Sequence, residues 1–371
     1  MLAIALLFDA PILAAAQARA SNAQQALQWL ECSQQQVNGQ IGSGGNPIAR
    51  SSEVALGLAA AGQPASAMRA GSASLADYLK TAATTDVGSN GELLLARASQ
   101  PEAGPTASVA AQLQASKSLT GANAGEYGSD IYSDTLAILG LRAAGQPVGQ
   151  DAIGFLKGQQ KSDGGWSFDN ADTYGTDSNT TALVIQALIS SGVATTDASI
   201  SNGLNFLKSV FGQGGFGSAP AAGPDANSDE LAILAIVAAN RQSDTDWSAM
   251  LNQALTYLAG QQTGSGTDTG AIANSYSKLF ATTYAPAAFL LSPLTGRGIS
   301  ERKLSLLSCP SAAAATAAPT AHPTASPSAQ GAALLARTGA PTDSNGLLLG
   351  LAILLLGVVI VRRPLKRDRH S

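Results

Sequence analysis

An aromatic–leucine pair recurs through the middle of the chain at a fixed interval of 51 residues, starting at Phe155, Phe206 and Tyr257. Each pair leads into a loop rich in Gly, Gln and Ser, and earlier copies of the pair begin at Trp29 and Tyr78. A fixed period of this length is typical of repeat proteins, in which each unit buries its apolar face against the next. The chain is therefore expected to fold as an array of similar units.

A second, more apolar segment follows the loops. The clearest copies are residues 133–145, 179–192 and 228–239, and weaker copies are residues 52–62 and 90–103. Ser, Asp, Asn or Thr opens these segments as an expected helix N-cap, and Gly ends or follows most of them as a helix-end signal. Helices that are apolar nearly all round are buried on most sides. We therefore expect the second helix of each pair to be inner and the amphipathic first helix to be outer.

The array is expected to be all-α, because no sustained alternation of apolar and polar residues occurs outside short loops. About six helical hairpins fit within residues 21–309, and two architectures accommodate them. One is an open solenoid, and the other is a closed α/α toroid, an α6/α6 barrel. Charged residues make up 12% of the chain against about 25% in soluble domains, and abundant Ala and Gly favour tightly packed helices.

The loop after Phe155 contains the pairs Gln159-Gln160 and Gly165-Trp166. This pattern resembles the QW motif of the squalene-cyclase and prenyltransferase superfamily, whose members are α/α toroids, and a second copy has Phe in place of Trp. The resemblance covers residues 22–293. It implies a closed ring in which the Gln ends the outer helix and its amide lies against the indole. The residues assigned to the motif are Phe155, Gln159, Gln160, Gly165, Trp166, Gln213 and Phe216.

The candidate site lies where the loops meet the inner helices, because in a toroid these loops surround one mouth of the central cavity. Aromatic and carboxylate side chains there are candidates for ligand binding. The alternative is ordinary helix capping, since carboxylates near helix N-termini stabilise by about 0.3–1 kcal/mol each. Trp166 is likewise either a loop brace or a ligand contact. The candidates are Tyr127, Tyr132, Asp134, Trp166, Asp169, Tyr174, Asp177, Asp229 and Glu230.

This chain lacks the residues that several known catalytic systems require. The two histidines, His322 and His370, lie after the repeat region. Without a histidine, the repeat region can form neither a Cys/His zinc site nor a nucleophile activated by His. Triterpene cyclases of the superfamily use an Asp-x-Asp-Asp tetrapeptide, and the nearest sequence here is Asp244-Thr245-Asp246-Trp247. The Cys-Gly-Glu-Gln thioester of complement-like toroids is absent too. The carboxylates between residues 163 and 177 do not have calcium-loop spacing, so neither a metal nor a cofactor is predicted.

Two classes of function remain open. The first is a non-catalytic surface toroid that binds a small ligand or a surface partner. Its repeats resemble the α-domains of cobalamin carriers, although this sequence lacks the second, β-rich domain that completes the corrinoid site there. The alternative is a prenyltransferase-like, terpene-cyclase-like or carbohydrate-active enzyme that uses carboxylates at the mouth for acid–base chemistry. The net charge of −4 provides no basic surface for nucleic acid.

Two cysteines, Cys32 and Cys309, flank the array. Closure of a ring would bring the first and last hairpins together. In an oxidising compartment we therefore expect the pair to form a disulfide. The alternative is two unpaired thiols.

The end of the chain has the composition of a membrane anchor. Residues 346–361 are all apolar or Gly, and residues 362–371 carry five Lys and Arg. Basic residues that flank a span stay on the cytoplasmic side, so we expect everything before residue 346 to lie outside the cell, at its surface. Residues 310–334, rich in Pro, Ala, Ser and Thr, have too few large apolar groups to fold and are expected to form a disordered stalk.

A pentapeptide before the apolar run resembles the Leu-Ala-x-Thr-Gly variant of the Gram-positive sorting signal. The resemblance implies attack of a sortase thiol on the bond after Thr338 and transfer of the protein to the cell wall; the alternative is a simple membrane anchor. Residues 1–20 resemble a secretory signal peptide with small residues near its end, although Asp9 interrupts the apolar run and no basic residue precedes it. The sorting residues are Leu335, Ala336, Arg337, Thr338 and Gly339.

Overall fold

Helices dominate the structure, a computed structural model that describes residues 5–274, 276–295 and 298–310, with side chains from residue 12 onward. Within these ranges, six outer helices alternate with six inner segments, and the predicted all-α hairpin array is confirmed. The outer helices are α1 Ala5–Trp29, α3 Leu75–Thr81, α5 Ala107–Ser116, α7 Gln150–Gly158, α9 Ala198–Ser209 and α11 Thr245–Gly260. The inner segments are α2 Pro47–Ala60, α4 Val87–Ser99, α6 Ile131–Ala143, α8 Ser178–Ser190, α10 Ala226–Ala238 and the pair α12 Lys278–Thr283 and α13 Ala285–Phe289.

The inner helices form a closed ring. Contacts run from α2 through α4, α6, α8 and α10 to α13, which packs back against α2. Gly57 of α2 permits this closure, because a Cβ there would lie 3.0 Å from the Cβ of Pro286 in α13. Gly91 of α4 and Gly140 of α6 also bring two backbones together, since a Cβ on Gly140 would lie 2.4 Å from the Gly91 carbonyl oxygen. The fold is therefore the α/α toroid and not the open solenoid.

Each inner segment begins with a capped N-terminus at the same end of the ring, which we call the N-terminal mouth. In three of these repeats the cap lies two or three residues before the helix start that the sequence predicted. In each of them the capping residue is an Asp whose side chain accepts the backbone N–H of the residue three positions later. Asp130, for example, accepts the N–H of Ser133 at 2.7 Å. The caps are Asn46, Asp86, Asp130, Asp177, Asp225 and Ser277.

Two parts of the ring do not follow the repeat pattern of the sequence. The outer helix α5 lacks the aromatic–leucine pair and buries Val109, Ala110 and Leu113 instead. The sixth inner segment is broken at Tyr284, because Pro286 has no N–H to continue the hydrogen bonding of α12 into α13. Neither segment was identified from the period alone.

The two ends of the array are joined covalently. Burial in α1 begins at Ala23. At the other end, residues 298–310 form an extended segment along α2 and α1, which we call the strap. It ends in a disulfide between Cys32 and Cys309, whose Cα atoms are 5.4 Å apart. The predicted disulfide is confirmed, and ring closure is the reason that residues so distant in sequence meet.

The predicted segments at the chain ends are described only in part. Residues 5–20 of the signal-peptide-like segment belong to α1, which continues to Trp29 without a break. The rest of the stalk beyond residue 310, the sorting residues 335–339, the apolar run 346–361 and the basic tail 362–371 lie outside the described residues. No helix within the described ranges is long and apolar enough to cross a membrane.

Candidate functional site

Loops at the N-terminal mouth are tied to the inner helices by one repeated hydrogen bond. The backbone N–H of a loop residue donates to a side-chain oxygen near the start of the next inner helix, over 2.6–2.9 Å. Asp134 and Asp229 serve here as loop anchors, and both are fully buried. They fill the place that a hydroxyl fills in three other repeats. The donor–acceptor pairs are Ile41–Ser51, Tyr127–Asp134, Trp166–Thr181, Phe216–Asp229 and Ile272–Thr282.

Burial raises the pKa of Asp134 to about 8, although the N–H of Tyr127 opposes the shift. An unfolded aspartate has a pKa of about 3.9. Between these two values the folded protein holds a proton that the unfolded chain has released. The contribution of Asp134 to the free energy of unfolding is therefore present at low pH and is lost as the pH rises from about 4 to about 8.

Replacing Asp134 with Thr is expected to remove this pH dependence, because the hydroxyl accepts the same N–H without holding a proton. At pH 8 the variant should be more stable than the parent by roughly 1–3 kcal/mol, the cost of a buried group left unsatisfied. At pH 5 the difference should shrink. Urea denaturation at both pH values measures it, and Thr181→Asp is the matched control, with the opposite sign expected. An Asp134→Thr difference that is the same at both pH values would show that Asp134 is charged in the fold.

Trp166 is enclosed by the fold and has no exposed surface. Its Nε1–H donates to the carbonyl oxygen of Leu156 at 2.6 Å, and its backbone N–H donates to Thr181 Oγ1 at 2.9 Å. A Cβ on Gly203 of α9 would lie 2.9 Å from the indole. The side chain thus links the end of α7 to α8 and α9, the arrangement expected of a brace.

The Gln of the motif joins its loop to the next outer helix. Gln160 Nε2 donates to the carbonyl oxygens of Gly164 at 2.8 Å and Ser199 at 2.9 Å. Gln35 and Gln262 make the same pair of bonds in two other repeats. These amides donate to backbone carbonyls, so their contribution is to fix the loops.

The remaining motif residues occupy different places. Gln159 caps the end of α7, and its N–H donates to the carbonyl oxygen of Phe155 at 3.1 Å. Gly165 leaves room for the ring of Phe206, which a Cβ there would approach to 2.9 Å. Gln213 has a φ of 52° and lies in the turn between β3 Phe211–Gly212 and β4 Gly215–Phe216. It therefore does not occupy the position of Gln160.

Two ligand candidates, Asp169 and Tyr174, lie in the loop between β1 Trp166–Ser167 and β2 Thr176–Asp177. Both are partly exposed, and Asp169 Oδ1 accepts the backbone N–H of Thr173 at 2.9 Å. Asp177 is fully buried and caps α8; burial raises its pKa to about 7. The candidates at the mouth are thus divided between a surface loop and the interior.

The centre of the ring holds a group of buried polar side chains from five inner segments. Arg50 Nη1 and Glu53 Oε2 form an ion pair of 2.7 Å on α2. The Tyr284 hydroxyl donates to Glu92 Oε1 over a long 3.4 Å. None of these side chains is more than 5% exposed, so the group is shielded from bulk solvent. We call this group the central cluster, and it consists of Arg50, Glu53, Glu92, Tyr132, Glu230 and Tyr284.

Glu53 and Glu92 influence each other's pKa. Burial raises the pKa of Glu92 well above its usual range, and Glu53 raises it further. Burial also raises the pKa of Glu53, but Arg50 and hydrogen bonds from Thr283 and Glu92 oppose the shift. Burial lowers the pKa of Arg50, yet Glu53 and Glu92 outweigh this and the net direction is upward. Of the two carboxyls, Glu92 therefore has the stronger tendency to hold a proton, and Glu53, which pairs with Arg50, has the stronger tendency to ionise.

Across the ring, Glu230 of α10 is buried without a hydrogen-bond partner for either carboxyl oxygen among the described residues. Burial raises the pKa of Glu230 well above its usual range, and Asp229 and Glu53 add to the shift. Nearby on the inner helices, Asn179 Nδ2 donates to Asn227 Oδ1 at 2.9 Å. A buried polar group without a partner destabilises the fold by about 1–3 kcal/mol, and the great majority of buried polar groups in proteins are therefore hydrogen-bonded.

Of the central cluster, Tyr132 and Glu230 were predicted as site residues from the sequence, whereas Arg50, Glu53, Glu92 and Tyr284 were not. The sequence does contain a signal for Glu53 and Glu92. Each lies in a helix that is apolar nearly all round, and a carboxyl in such a helix has to be buried. Buried carboxyls of this kind are concentrated at functional sites. In the described part of the chain, no three His, Cys, Asp or Glu side chains are arranged to hold a metal ion.

No family model matches the chain, and no curated protein matches it either. Solved structures do match. A variant of MstE, a type II terpene cyclase from Scytonema, in complex with its substrate geranylgeranyl dihydroxybenzoate, has a TM-score of 0.55 and 12% identity over 76% of this chain and 99% of that chain. Ligand-free MstE has a TM-score of 0.54 and 16% identity over 73% and 97%. The toroid is therefore a fold shared with type II terpene cyclases, and at this identity the likeness concerns the fold alone.

Proposed function

We propose that this protein is an acid-initiated cyclase that acts on an isoprenoid chain, with Glu92 as the acid. The observation that carries the proposal is the buried carboxyl pair, Glu53 and Glu92, at the centre of the ring beside Arg50, where burial raises the pKa of both carboxyls. The fold shared with MstE, whose structure contains a geranylgeranyl substrate, supports the choice of substrate class. We place the acid at the ring centre and not at the mouth. The mouth carboxyls Asp134 and Asp229 already accept hydrogen bonds from loop N–H groups and thereby hold the loops in place.

In the proposed reaction, the O–H bond of Glu92 breaks and its proton forms a C–H bond with a terminal alkene carbon of the substrate. The adjacent carbocation is attacked by the next double bond, and a C–C bond closes a ring. Loss of a proton from the final cation to water yields an isomer of the substrate. Arg50 and the Tyr284 hydroxyl stabilise the carboxylate that remains on Glu92. Two helices thus provide the paired carboxyls that triterpene cyclases carry in one tetrapeptide.

Incubation of the full chain with geranylgeranyl dihydroxybenzoate or geranylgeraniol in D₂O tests this function. The expected product is an isomer of the substrate in which one deuterium replaces one hydrogen, because the acid exchanges its proton with solvent. Glu92→Gln should lower the rate about 100-fold, within the usual range for a general acid, while circular dichroism shows an unchanged fold. Asp169→Asn, in the surface loop, is the matched control and should retain the rate. Turnover by Glu92→Gln at the parental rate would remove Glu92 from the mechanism.

A second candidate function is a non-catalytic toroid that binds a small ligand. The observation that favours it is the closed centre, where Glu53 and Glu230 have 0% exposure. In that case the isoprenoid probes bind without forming an isomer, and no deuterium enters them. The D₂O experiment therefore separates the enzyme from the binding module.

We also propose that the toroid is displayed at the cell surface through its C-terminus. The supporting features are the apolar run 346–361, the basic tail 362–371 and the Thr338-Gly339 bond of the sorting motif. Deletion of residues 340–371 is expected to release the protein into the medium, because the apolar run and the basic residues would be gone. Thr338→Ala should leave it bound to the membrane and not to the wall. Fractionation of wall, membrane and medium measures both, and a wall-linked Thr338→Ala protein argues against a sortase.

A further inference from the structure

Glu230 of α10 differs from the residues that hold the same position in other repeats. In five repeats the residue directly after the loop anchor is an inner-helix residue with no exposed surface. In four of the five this residue is small, whereas on α10 it is a long carboxylic acid. The repeat itself therefore does not require a carboxyl at this position. The five residues are Ser52, Thr135, Ala182, Glu230 and Thr283.

Asn227 lies three residues before Glu230 on α10, and residues with this spacing are neighbours on one face of a helix. The Oδ1 atom of Asn227 accepts the Nδ2–H of Asn179 at 2.9 Å. Its own Nδ2 is buried and has no partner among the described residues, and the same is true of both carboxyl oxygens of Glu230. One face of α10 thus carries two neighbouring polar groups that the described part of the chain leaves unsatisfied.

This face of α10 lies across the ring from the acid Glu92. The contacts between inner helices place α10 three helices away from α4 in either direction around the ring. Glu230 follows the cap of α10 by five residues, and Glu92 follows the cap of α4 by six. At 1.5 Å per residue, both carboxyls lie about 8–9 Å from the N-terminal mouth. Glu230 and Glu92 therefore face each other at one depth.

The two unsatisfied groups of α10 match an uncharged hydroxyl. A hydroxyl oxygen accepts the Nδ2–H of Asn227, and its O–H donates to a carboxyl oxygen of Glu230. Burial, Asp229 and Glu53 raise the pKa of Glu230, which favours a neutral carboxyl and hence a neutral partner. An anionic group such as a diphosphate is disfavoured, because the central cluster contains three glutamates against the single guanidinium of Arg50.

We propose that Asn227 and Glu230 bind the hydroxyl end of an isoprenoid alcohol, on the side of the ring opposite the acid Glu92. The isoprenoid class rests on the proposed function, whereas the preference for a hydroxyl rests on the two unsatisfied groups of α10. A hydroxyl held there directs the far, hydrocarbon end of the chain towards α4. Asn227 and Glu230 thus select the end of the substrate that receives the proton.

Equilibrium dialysis of the full chain tests the proposal with two tritiated probes, geranylgeraniol and the hydrocarbon that has a hydrogen in place of its hydroxyl. The parent should bind the alcohol about tenfold more tightly, the effect of hydrogen bonding in a shielded site. Glu230→Leu should remove this difference by weakening alcohol binding alone. Glu230→Gln should retain it, because a neutral amide also donates and accepts. Asp229→Thr, which keeps the loop anchor, is the matched control and should bind both probes like the parent.

Urea denaturation without ligand separates hydroxyl binding from a structural role of Glu230. Glu230→Leu should unfold at a higher urea concentration than the parent, because it removes a buried carboxyl that has no partner. A lower midpoint would show that the carboxyl is already satisfied, for example by an internal water, and would overturn the proposal. A parent that binds the alcohol no more tightly than the hydrocarbon, or a Glu230→Leu variant that keeps the difference, overturns it as well.

The binding measurements and the D₂O experiment fail independently. Alcohol binding that depends on Glu230, without any isomer formed in D₂O, refutes the proposed function and leaves the hydroxyl site standing. An isomer that Glu230→Leu forms at the parental rate, with unchanged affinity for the alcohol, refutes the hydroxyl site and leaves the proposed function standing.

Discussion

Replacing Trp166 with Ala is expected to lower the free energy of unfolding by about 3–5 kcal/mol, the usual range for truncation of a buried aromatic residue. The indole has no exposed surface, and its removal leaves a cavity next to Gly203. The change also deprives the Leu156 carbonyl oxygen of the N–H that lies 2.6 Å away. Urea denaturation of the full chain, followed by circular dichroism, measures the loss.

Two control variants separate packing from hydrogen bonding at this position. Trp166→Phe keeps an aromatic ring and should cost less, about 1–2 kcal/mol, mainly for the lost hydrogen bond. Trp247→Ala removes an indole on the outer helix α11 that is 9% exposed and should also cost less than Trp166→Ala. A Trp166→Ala protein that is as stable as the parent but no longer binds isoprenoid probes would make Trp166 a ligand contact instead of a brace.

Replacing Arg50 with Met is expected to destabilise the protein by about 3–5 kcal/mol at neutral pH, because one partner of a buried ion pair then has no counter-charge. Glu53 is 2.7 Å from the guanidinium and fully buried. Without Arg50, the pKa of Glu53 should rise further, so the variant loses stability as the pH rises from 5 to 7.5. Denaturation at these two pH values checks both the size and the sign of the effect.

The double variant Arg50→Met/Glu53→Leu is the matched control. Replacing both partners of a buried pair with apolar residues is often neutral or stabilising, so we expect much of the loss to be recovered. The double-mutant cycle then gives the coupling between the two side chains. If Arg50→Met is as stable as the parent at pH 7.5, Glu53 is uncharged in the fold, and the assignment of the stronger tendency to ionise to Glu53 is wrong.

The repeating unit of this protein follows from its amino-acid sequence alone. The period that separates Phe155 from Phe206, the polar N-caps and the QW-like loop all depend on residues close together in the chain. Short-range hydrogen bonding and helix periodicity decide such features, and they sufficed to predict the hairpins. The closed ring was what the resemblance of the QW-like loop implied, and the pairing of Cys32 with Cys309 was expected from that closure. Where the local signal was weak, as at α5 and at the break before Pro286, the prediction was incomplete.

Which polar side chains meet depends on the tertiary structure. Glu53 and Glu92 are 39 residues apart and lie together at the ring centre, whereas Asp134, expected near a ligand, anchors a loop as Thr181 does. The physical reason is that a helix apolar on all sides does not specify from its sequence which face points to the axis. Backbone contacts between neighbouring helices, such as that of Gly91 with α6, fix this rotation. The site therefore exists only once the ring has closed.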